Sequence, residues 1–184
     1  DGIVGGLFLT SDGSVINVDS GLDNLQELAQ KAGLTTTAIG SGKFTLGTGQ
    51  SMLALGQNLT LSGSGQVIVD AGVTYEDTGS QQYVAKIDGQ NISDGAYFGN
   101  NSLLVVNGNT IKGATAAITL GGTNTDLYVQ NGAKLLIADA VAGQTYTVIA
   151  NADNADTAFN GTSYTNASAT GWKDANLLTS SDMV

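Results

Sequence analysis

Two stretches of the sequence follow the same plan: residues 56–75 read GQNLTLSGSGQVIVDAGVTY, and residues 124–146 read NTDLYVQNGAKLLIADAVAGQTY. Each has a short apolar segment, a corner of Gly, Ser or Asn, a second apolar segment and a second corner. The later copy is three residues longer at its second corner, where stacked strands tolerate insertion best. Such self-similarity predicts an architecture in which each unit buries its apolar side chains against the next.

Short apolar segments continue outward from these copies along most of the chain. They are three to five residues long and lie at residues 44–46, 52–55, 83–87, 96–98, 103–106, 118–120 and 146–150. The corners between them are rich in Gly, Ser, Thr and Asn, residue types that favour tight turns. Near the start, residues 7–9 and 15–18 predict two strands around a corner or a hairpin.

One helix is predicted, over residues 22–32. Its leucines fall on one face, Asp19 or Ser20 can cap its start, and Gly33 ends it. We expect the leucines to lie on a neighbouring sheet. The alternative is a helix that binds a partner or caps one end of the fold.

Composition excludes several classes of protein. The 184 residues include no Cys, no His and no Arg, and sixteen acidic residues against six lysines give a formal net charge of −10. Such a surface repels phosphate backbones, so nucleic acid is not an expected partner. A disulfide scaffold and a zinc site of Cys or His ligands are excluded. No apolar run reaches the ~18 residues that span a bilayer, so no transmembrane segment is expected.

Very short strands at close spacing fit two all-β architectures. One is a parallel β-helix with a single short helix near its start, and the alternative is a β-sandwich adhesin domain. The repeated order of two strands and two corners favours the β-helix. With coils of ~20–25 residues, the chain would make roughly seven to nine coils, one strand spacing of ~4.8 Å apart.

Three further features of the sequence belong together: the Leu-x-Leu segments with their Gly corners, residues 142–149 (AGQTYTVI), and Gly171-Trp172 followed by Leu177-Leu178. In these features the sequence resembles the passenger region of bacterial autotransporter adhesins. The helix departs from that pattern. The resemblance implies a right-handed parallel β-helix, with residues 1–184 forming a single solenoid domain of a longer chain and looser coils over 151–184.

The resemblance also implies a function. We expect a non-catalytic module on the bacterial cell surface, extracellular, that mediates adhesion or self-association through an extended face. Its partner would be a second copy or a host or matrix ligand, a glycan among them. The alternatives are a β-helical polysaccharide-active enzyme and a subunit of a filament or surface layer.

No catalytic residue is predicted. A hydroxyl activated by imidazole cannot exist without His. A glycosidase needs two carboxylates about 5–10 Å apart. The candidate carboxylates occur mostly in turn-like contexts where Asp is common: Asp70, Glu76, Asp77, Asp88 and Asp94.

A weak calcium candidate is Asp126. Residues 121–128, GGTNTDLY, come close to the nonapeptide GGxGxDxUx that binds Ca²⁺ in β-rolls. Only one copy is present, and Asn124 replaces a Gly. No cofactor is therefore expected beyond loosely bound Ca²⁺.

Aromatic residues and Asn residues of this sequence can each be interpreted either as surface features that bind a ligand or carry a glycan, or as parts of the structure. Eight aromatic side chains could form a sugar-stacking strip, although interior packing is the commoner arrangement: Tyr75, Tyr83, Tyr97, Phe98, Tyr128, Tyr146, Tyr164 and Trp172. Sequons occur at Asn58, Asn91, Asn100, Asn160 and Asn166, as expected by chance in so Asn-rich a chain. Asn side chains at repeated corners would form structural amide ladders.

Overall fold

The computed structural model describes residues 2–3, 7–9, 13–56, 59–61, 66–69, 73–79, 82–87, 90–91, 95–111, 116–120, 126–141, 146–150 and 177–179. These residues form mostly strands with one helix, which confirms an all-β protein. In chain order the elements are β1 (Gly2–Ile3), β2 (Leu7–Leu9), β3 (Val15–Val18), α1 (Leu25–Lys31), β4 (Thr36–Gly40), β5 (Lys43–Leu46), β6 (Ser51–Leu55), β7 (Leu59–Leu61), β8 (Gln66–Val69), β9 (Val73–Gly79), β10 (Gln82–Ile87), β11 (Gln90–Asn91), β12 (Gly95–Phe98), β13 (Ser102–Asn107), β14 (Ala116–Thr119), β15 (Asp126–Val129), β16 (Lys134–Ala138), β17 (Thr147–Ala150) and β18 (Leu177–Thr179).

Three parallel sheets hold most of these strands. Sheet 1 has the order β1-β7-β14-β17, sheet 2 the order β2-β8-β12-β15, and sheet 3 the order β3-β6-β13-β16-β18. Two smaller sheets are antiparallel, namely the β4–β5 hairpin and β9-β10-β11. Parallel pairing in the three larger sheets differs from the antiparallel pairing that the alternative sandwich requires.

The chain visits the three parallel sheets in a fixed order. From β12 to β17 it passes through sheets 2, 3, 1, 2, 3 and 1 in turn. The paired positions Ala96 and Leu127, Leu104 and Leu135, and Ile118 and Ile149 are all 31 residues apart. One circuit of the three sheets therefore takes 31 residues in this part of the chain. The antiparallel segments lie between successive strands of one sheet, β3 and β6 or β8 and β12.

This register corrects two expectations. The stretches 56–75 and 124–146 do not occupy the same sheets, since the first places its strands in sheets 1 and 2 and the second in sheets 2 and 3. Short apolar segments look alike whichever sheet they enter. The two similar stretches therefore begin in different sheets, one step apart in the order in which the chain visits the sheets. Circuits are also longer than the ~20–25 residues expected, and the parallel sheets hold four or five strands of the described chain rather than seven to nine.

The three parallel sheets share one hydrophobic core. Alternate side chains of each sheet enter it: Leu53, Leu104 and Leu135 from sheet 3, Val69 and Phe98 from sheet 2, and Ile118 and Val148 from sheet 1. Each of these side chains is fully buried. Burying one such side chain stabilises the fold by about 1.5–3 kcal/mol, so the shared core is the main reason that the sheets stay together.

Sheet 3 is also buried on its opposite face, where α1 covers it. The second cluster joins Leu25 and Leu28 of the helix to Met52, Leu103 and Leu136 of the strands. Burial on both faces explains why these strands read as continuous apolar runs, MLAL, LLVV and LLIA, instead of alternating.

The helix is shorter than its predicted span of 22–32. It begins after Asn24 instead of after the predicted caps, because the Ser20 hydroxyl accepts a hydrogen bond from the Leu22 amide in the preceding turn (3.3 Å). Its end is as expected: Gly33 has φ +90°, and the amides of Gly33 and Leu34 donate to the carbonyls of Gln30 and Ala29 (3.0 Å each). The ammonium of Lys134 on β16 donates to the Ala32 carbonyl, which ties this end to sheet 3.

Candidate interaction surfaces

The predicted calcium candidate lies at a strand start. Asp126 is the first residue of β15, where its backbone pairs with Gly95 of β12. Residues 121–125 of the nonapeptide-like segment lie outside the described residues. In the part of the chain that the structure describes, no three His, Cys, Asp or Glu side chains come together as a metal site would require.

Two of the five predicted carboxylates belong to a described strand. Glu76 and Asp77 lie on β9, where they pair with Val84 and Tyr83 of β10. Asp70, Asp88 and Asp94 lie outside the described residues.

Several aromatic residues of the suggested sugar-stacking strip are buried, which argues against that strip. Phe98 and Tyr146 are fully buried, and Tyr97 is 3% exposed. The Tyr146 hydroxyl accepts a hydrogen bond from the Val141 amide (2.7 Å), so the buried phenol is satisfied. Tyr97 and the half-buried Tyr128 are register partners with ring centroids 6.3 Å apart. Tyr75 and Tyr83 lie on β9 and β10, and Tyr164 and Trp172 lie outside the described residues.

Corners at the start of the sheet 3 strands form one polar row. Each corner is the same four-residue turn, in which the last amide donates to the first carbonyl: 47–50, 99–102 and 130–133. Asn100 joins the corner 99–102 to the corner 130–133. Its backbone N–H donates to Gln130 Oε1 (2.9 Å), and its side-chain Oδ1 accepts a hydrogen bond from the Gly132 backbone N–H (3.1 Å). Asn100 is a sequon residue, and here its side chain holds two corners together. Asn100, Asn101 and Asn131 are exposed along this row.

A second polar row runs along the other end of the same strands. The side chain of the buried Asn107, at the end of β13, donates a hydrogen bond from Nδ2 to the Ser20 carbonyl in the corner after β3 (2.8 Å). The bond passes over Gly56, which follows β6, the strand between β3 and β13. Asn109 Nδ2 lies 3.5 Å from Asp139 Oδ2 on the next corner. Asp19, Asn109 and Asp139 are exposed, so this row presents acidic and amide groups to solvent.

Two corners of sheet 3 require glycine because the backbone of the neighbouring corner leaves no room for a Cβ. A Cβ on Gly108 would lie 2.8 Å from the Ala138 carbonyl oxygen, and one on Gly132 would lie 2.5 Å from that of Asn100. Both are backbone atoms, which cannot move aside as the end of a long side chain can. At these two corners, where each glycine follows an Asn, the glycine therefore allows close stacking of one corner on the next.

An open groove lies beside β3, the edge strand of sheet 3. It encloses about 810 Å³ between β3, the start of α1 and the β4–β5 hairpin. Its apolar lining comprises Val15, Leu22, Leu25, Ile39 and Phe44. Ile39 is 62% exposed at this groove. Sequence reasoning missed this site, because its walls come from three elements that meet only in the fold.

Comparisons with known proteins add no relative. The chain matches no protein-family profile, no curated protein and no solved structure. The one described helix is too short and too polar to cross a bilayer.

Proposed function

We propose that this chain is a non-catalytic module of a bacterial cell surface that mediates adhesion or self-association. In this proposal the three parallel sheets are the faces of a right-handed parallel β-helix, which holds polar rows in a fixed, extended array. The extracellular location and the passenger-like role come from the sequence resemblance alone.

The observation that carries the proposal is the 31-residue spacing that β12 and β15, β13 and β16, and β14 and β17 share, one strand pair in each of the three parallel sheets. A chain that passes through three sheets in a fixed order and returns one strand further along has the path of a solenoid. Solenoids present long repetitive surfaces, and these suit many weak contacts acting together.

The polar rows of sheet 3 support the adhesive role. Asn100, Asn101 and Asn131 offer exposed amides on one row, and Asp19 and Asp139 offer carboxylates on the other. Hydrogen bonds between corners hold both rows, through Asn100 in the first row and through the buried Asn107 in the second. A ligand that meets such pre-organised groups loses little affinity to the ordering of side chains.

Display on a non-aggregating bacterium tests the proposal. Cells that carry the chain on their surface should settle faster than cells that display an unrelated domain of similar size. With a net charge of −10 on each copy, contacts between copies should strengthen as salt rises from ~10 mM to ~300 mM, because the Debye length falls from about 30 Å to below 8 Å.

Other outcomes would redirect or overturn the proposal. Settling that is unchanged at both salt concentrations, together with binding to one class on a glycan panel, would replace self-association with ligand adhesion. Turnover of a polysaccharide by the purified chain would contradict the non-catalytic role.

A further inference from the structure

Two Asn-Gly pairs occupy corners of sheet 3, and their surroundings differ. Asn107 ends β13 and is 6% exposed, and the Gly108 that follows it is buried. Asn131 and Gly132 lie in the corner before β16, where Asn131 is exposed and Gly132 is half-buried. The third pair of the sequence, at residues 160–161, lies outside the described residues. The same dipeptide therefore occurs once in a buried and once in an exposed setting.

An Asn-Gly pair can convert its own side chain without an enzyme. The backbone nitrogen of the glycine attacks the Cγ of the asparagine, a C–N bond forms, and the side-chain nitrogen leaves as ammonia with the proton of the former N–H. Water then opens the five-membered imide ring at either carbonyl and leaves a carboxylate. Glycine favours the attack because no Cβ obstructs its nitrogen. The net change is amide plus water to carboxylate plus ammonium.

Hydrogen bonds hold the reacting groups of the buried pair. Asn107 Nδ2 donates to the Ser20 carbonyl (2.8 Å), and Asn107 Oδ1 accepts from the Asn109 backbone N–H (2.9 Å). The Gly108 N–H donates to the Ala138 carbonyl of the neighbouring corner (2.7 Å). Ring closure must break at least the bonds of Nδ2 and of the Gly108 N–H. Both are in a buried place, where a polar group without a partner is costly.

The exposed pair is restrained by the side chain of another corner. The Gly132 N–H donates to Asn100 Oδ1 (3.1 Å), and Asn100 lies one circuit earlier. Asn100 is kept in place in turn, because its backbone N–H donates to Gln130 Oε1 (2.9 Å). This arrangement directs the Gly132 N–H towards Asn100, whereas ring closure has to turn the same nitrogen towards the Asn131 side chain. The hydrogen bond to Asn100 therefore opposes the reaction.

We propose that Asn131 is a site of spontaneous deamidation, that the Asn100 side chain slows the reaction there, and that Asn107 is locked against it. Conversion at Asn131 adds a carboxylate, which is charged at neutral pH. The new charge joins the row of exposed amides at the start of the sheet 3 strands, so this row becomes acidic like the row at their other end. The modification does not depend on the adhesive role of the row.

Mass spectrometry of the full 184-residue chain tests the site. The chain is aged in mildly alkaline buffer, and peptide maps taken over time measure conversion at Asn131 and at Asn107 separately. The same chain unfolded in guanidinium chloride gives the reference rate for each position. We expect folding to slow Asn131 at least about threefold, the effect of one hydrogen bond, and to slow Asn107 much more.

Variants of the neighbouring corner identify the cause of the protection. Asn100→Ala removes the acceptor and should speed conversion of Asn131 about threefold to tenfold, with no change at Asn107. Asn101→Ala, at the next exposed position of the same corner, should change neither rate. Asn100→Asp keeps an acceptor oxygen in place and should keep conversion slow. Circular dichroism checks that each variant is folded.

Three results would overturn the proposal. The first is equal conversion of Asn107 and Asn131 in the folded chain. The second is an Asn131 rate that Asn100→Ala leaves unchanged. The third is equal acceleration of both positions in Asn100→Ala, because a loss of overall stability would then be the cause. Peptide maps and cell settling are separate readouts, so either can fail while the other succeeds.

Discussion

At the scale of single residues, two serines in register provide a matched comparison. Ser51 and Ser102 are register partners on β6 and β13, and both are buried. The Ser102 hydroxyl donates to the Gly99 carbonyl at 2.7 Å, whereas the Ser51 hydroxyl has no hydrogen-bond partner among the described residues. A buried hydroxyl without a partner costs about 1–3 kcal/mol.

Replacing each serine by alanine should therefore have opposite effects. We expect Ser51→Ala to raise the free energy of unfolding by up to about 1 kcal/mol and Ser102→Ala to lower it by about 1 kcal/mol. Denaturant titration followed by circular dichroism measures both. A loss of stability in Ser51→Ala as large as in Ser102→Ala would contradict the hydrogen-bond assignment.

Gly108 tests how closely the corners stack. Gly108→Ala would place a Cβ 2.8 Å from the Ala138 carbonyl oxygen, so the backbone of one corner must shift. We expect a loss of about 1–3 kcal/mol in the free energy of unfolding. The neighbouring exposed Asn109 is the control, and Asn109→Ala should change stability by no more than about 0.5 kcal/mol. Equal stability of the two variants in a urea titration would mean that these corners do not touch.

At the scale of elements, the helix is expected to stabilise sheet 3 through its apolar face. Leu28 is 3% exposed in the second cluster, and Leu28→Ala should lower the free energy of unfolding by about 2–4 kcal/mol. Glu27→Ala removes only a surface ion pair from a 59% exposed side chain and should cost about 0.5 kcal/mol or less.

Thermal and urea unfolding of these two variants measure the helix contribution. If Leu28→Ala unfolds at the same midpoint as Glu27→Ala, the helix is not packed on the sheet.

The amphipathic pattern of the sequence predicted a helix here, but it did not predict the residue at which the helix begins. Asn24 occupies the N-cap position but its side chain makes no capping hydrogen bond, so the start of the helix does not follow from side-chain capping.

The positions of the strands could be predicted because the apolar segments are short and bounded by turn residues. The segment 103–106, for example, lies within β13, and 135–137 lies within β16. Their membership of a sheet could not be predicted, since β7 and β8 are both brief apolar segments that suit any parallel ladder. The groove was missed for a related reason: Ile39 is a single apolar residue in a polar stretch, which is common on protein surfaces.

At the scale of the whole molecule, three parallel sheets around one core explain why a chain without Cys can be stable. In-register columns such as Leu53, Leu104 and Leu135 place like side chains above one another, and each strand in the middle of a sheet is paired on both sides. The same stacking spaces the exposed polar groups regularly. The adhesive proposal rests on this regular surface, and the groove beside β3 is a separate feature of one edge.

The 31-residue register is tested most directly by disulfide trapping, for which a chain without native Cys is well suited. Asn100 and Asn131 are exposed, are 31 residues apart, and lie on adjacent corners joined by hydrogen bonds. Strands in register lie about 4.8 Å apart, within reach of a disulfide. The control pair Asn100→Cys with Asp139→Cys lies at opposite ends of the sheet 3 strands, separated by the five residues of β16, about 16 Å at ~3.3 Å per residue and beyond the reach of a disulfide. We predict rapid formation of an intramolecular disulfide in Asn100→Cys/Asn131→Cys and none in the control pair. Failure of the first pair to close under mild oxidation, or equal closure of both, would contradict the stacked register.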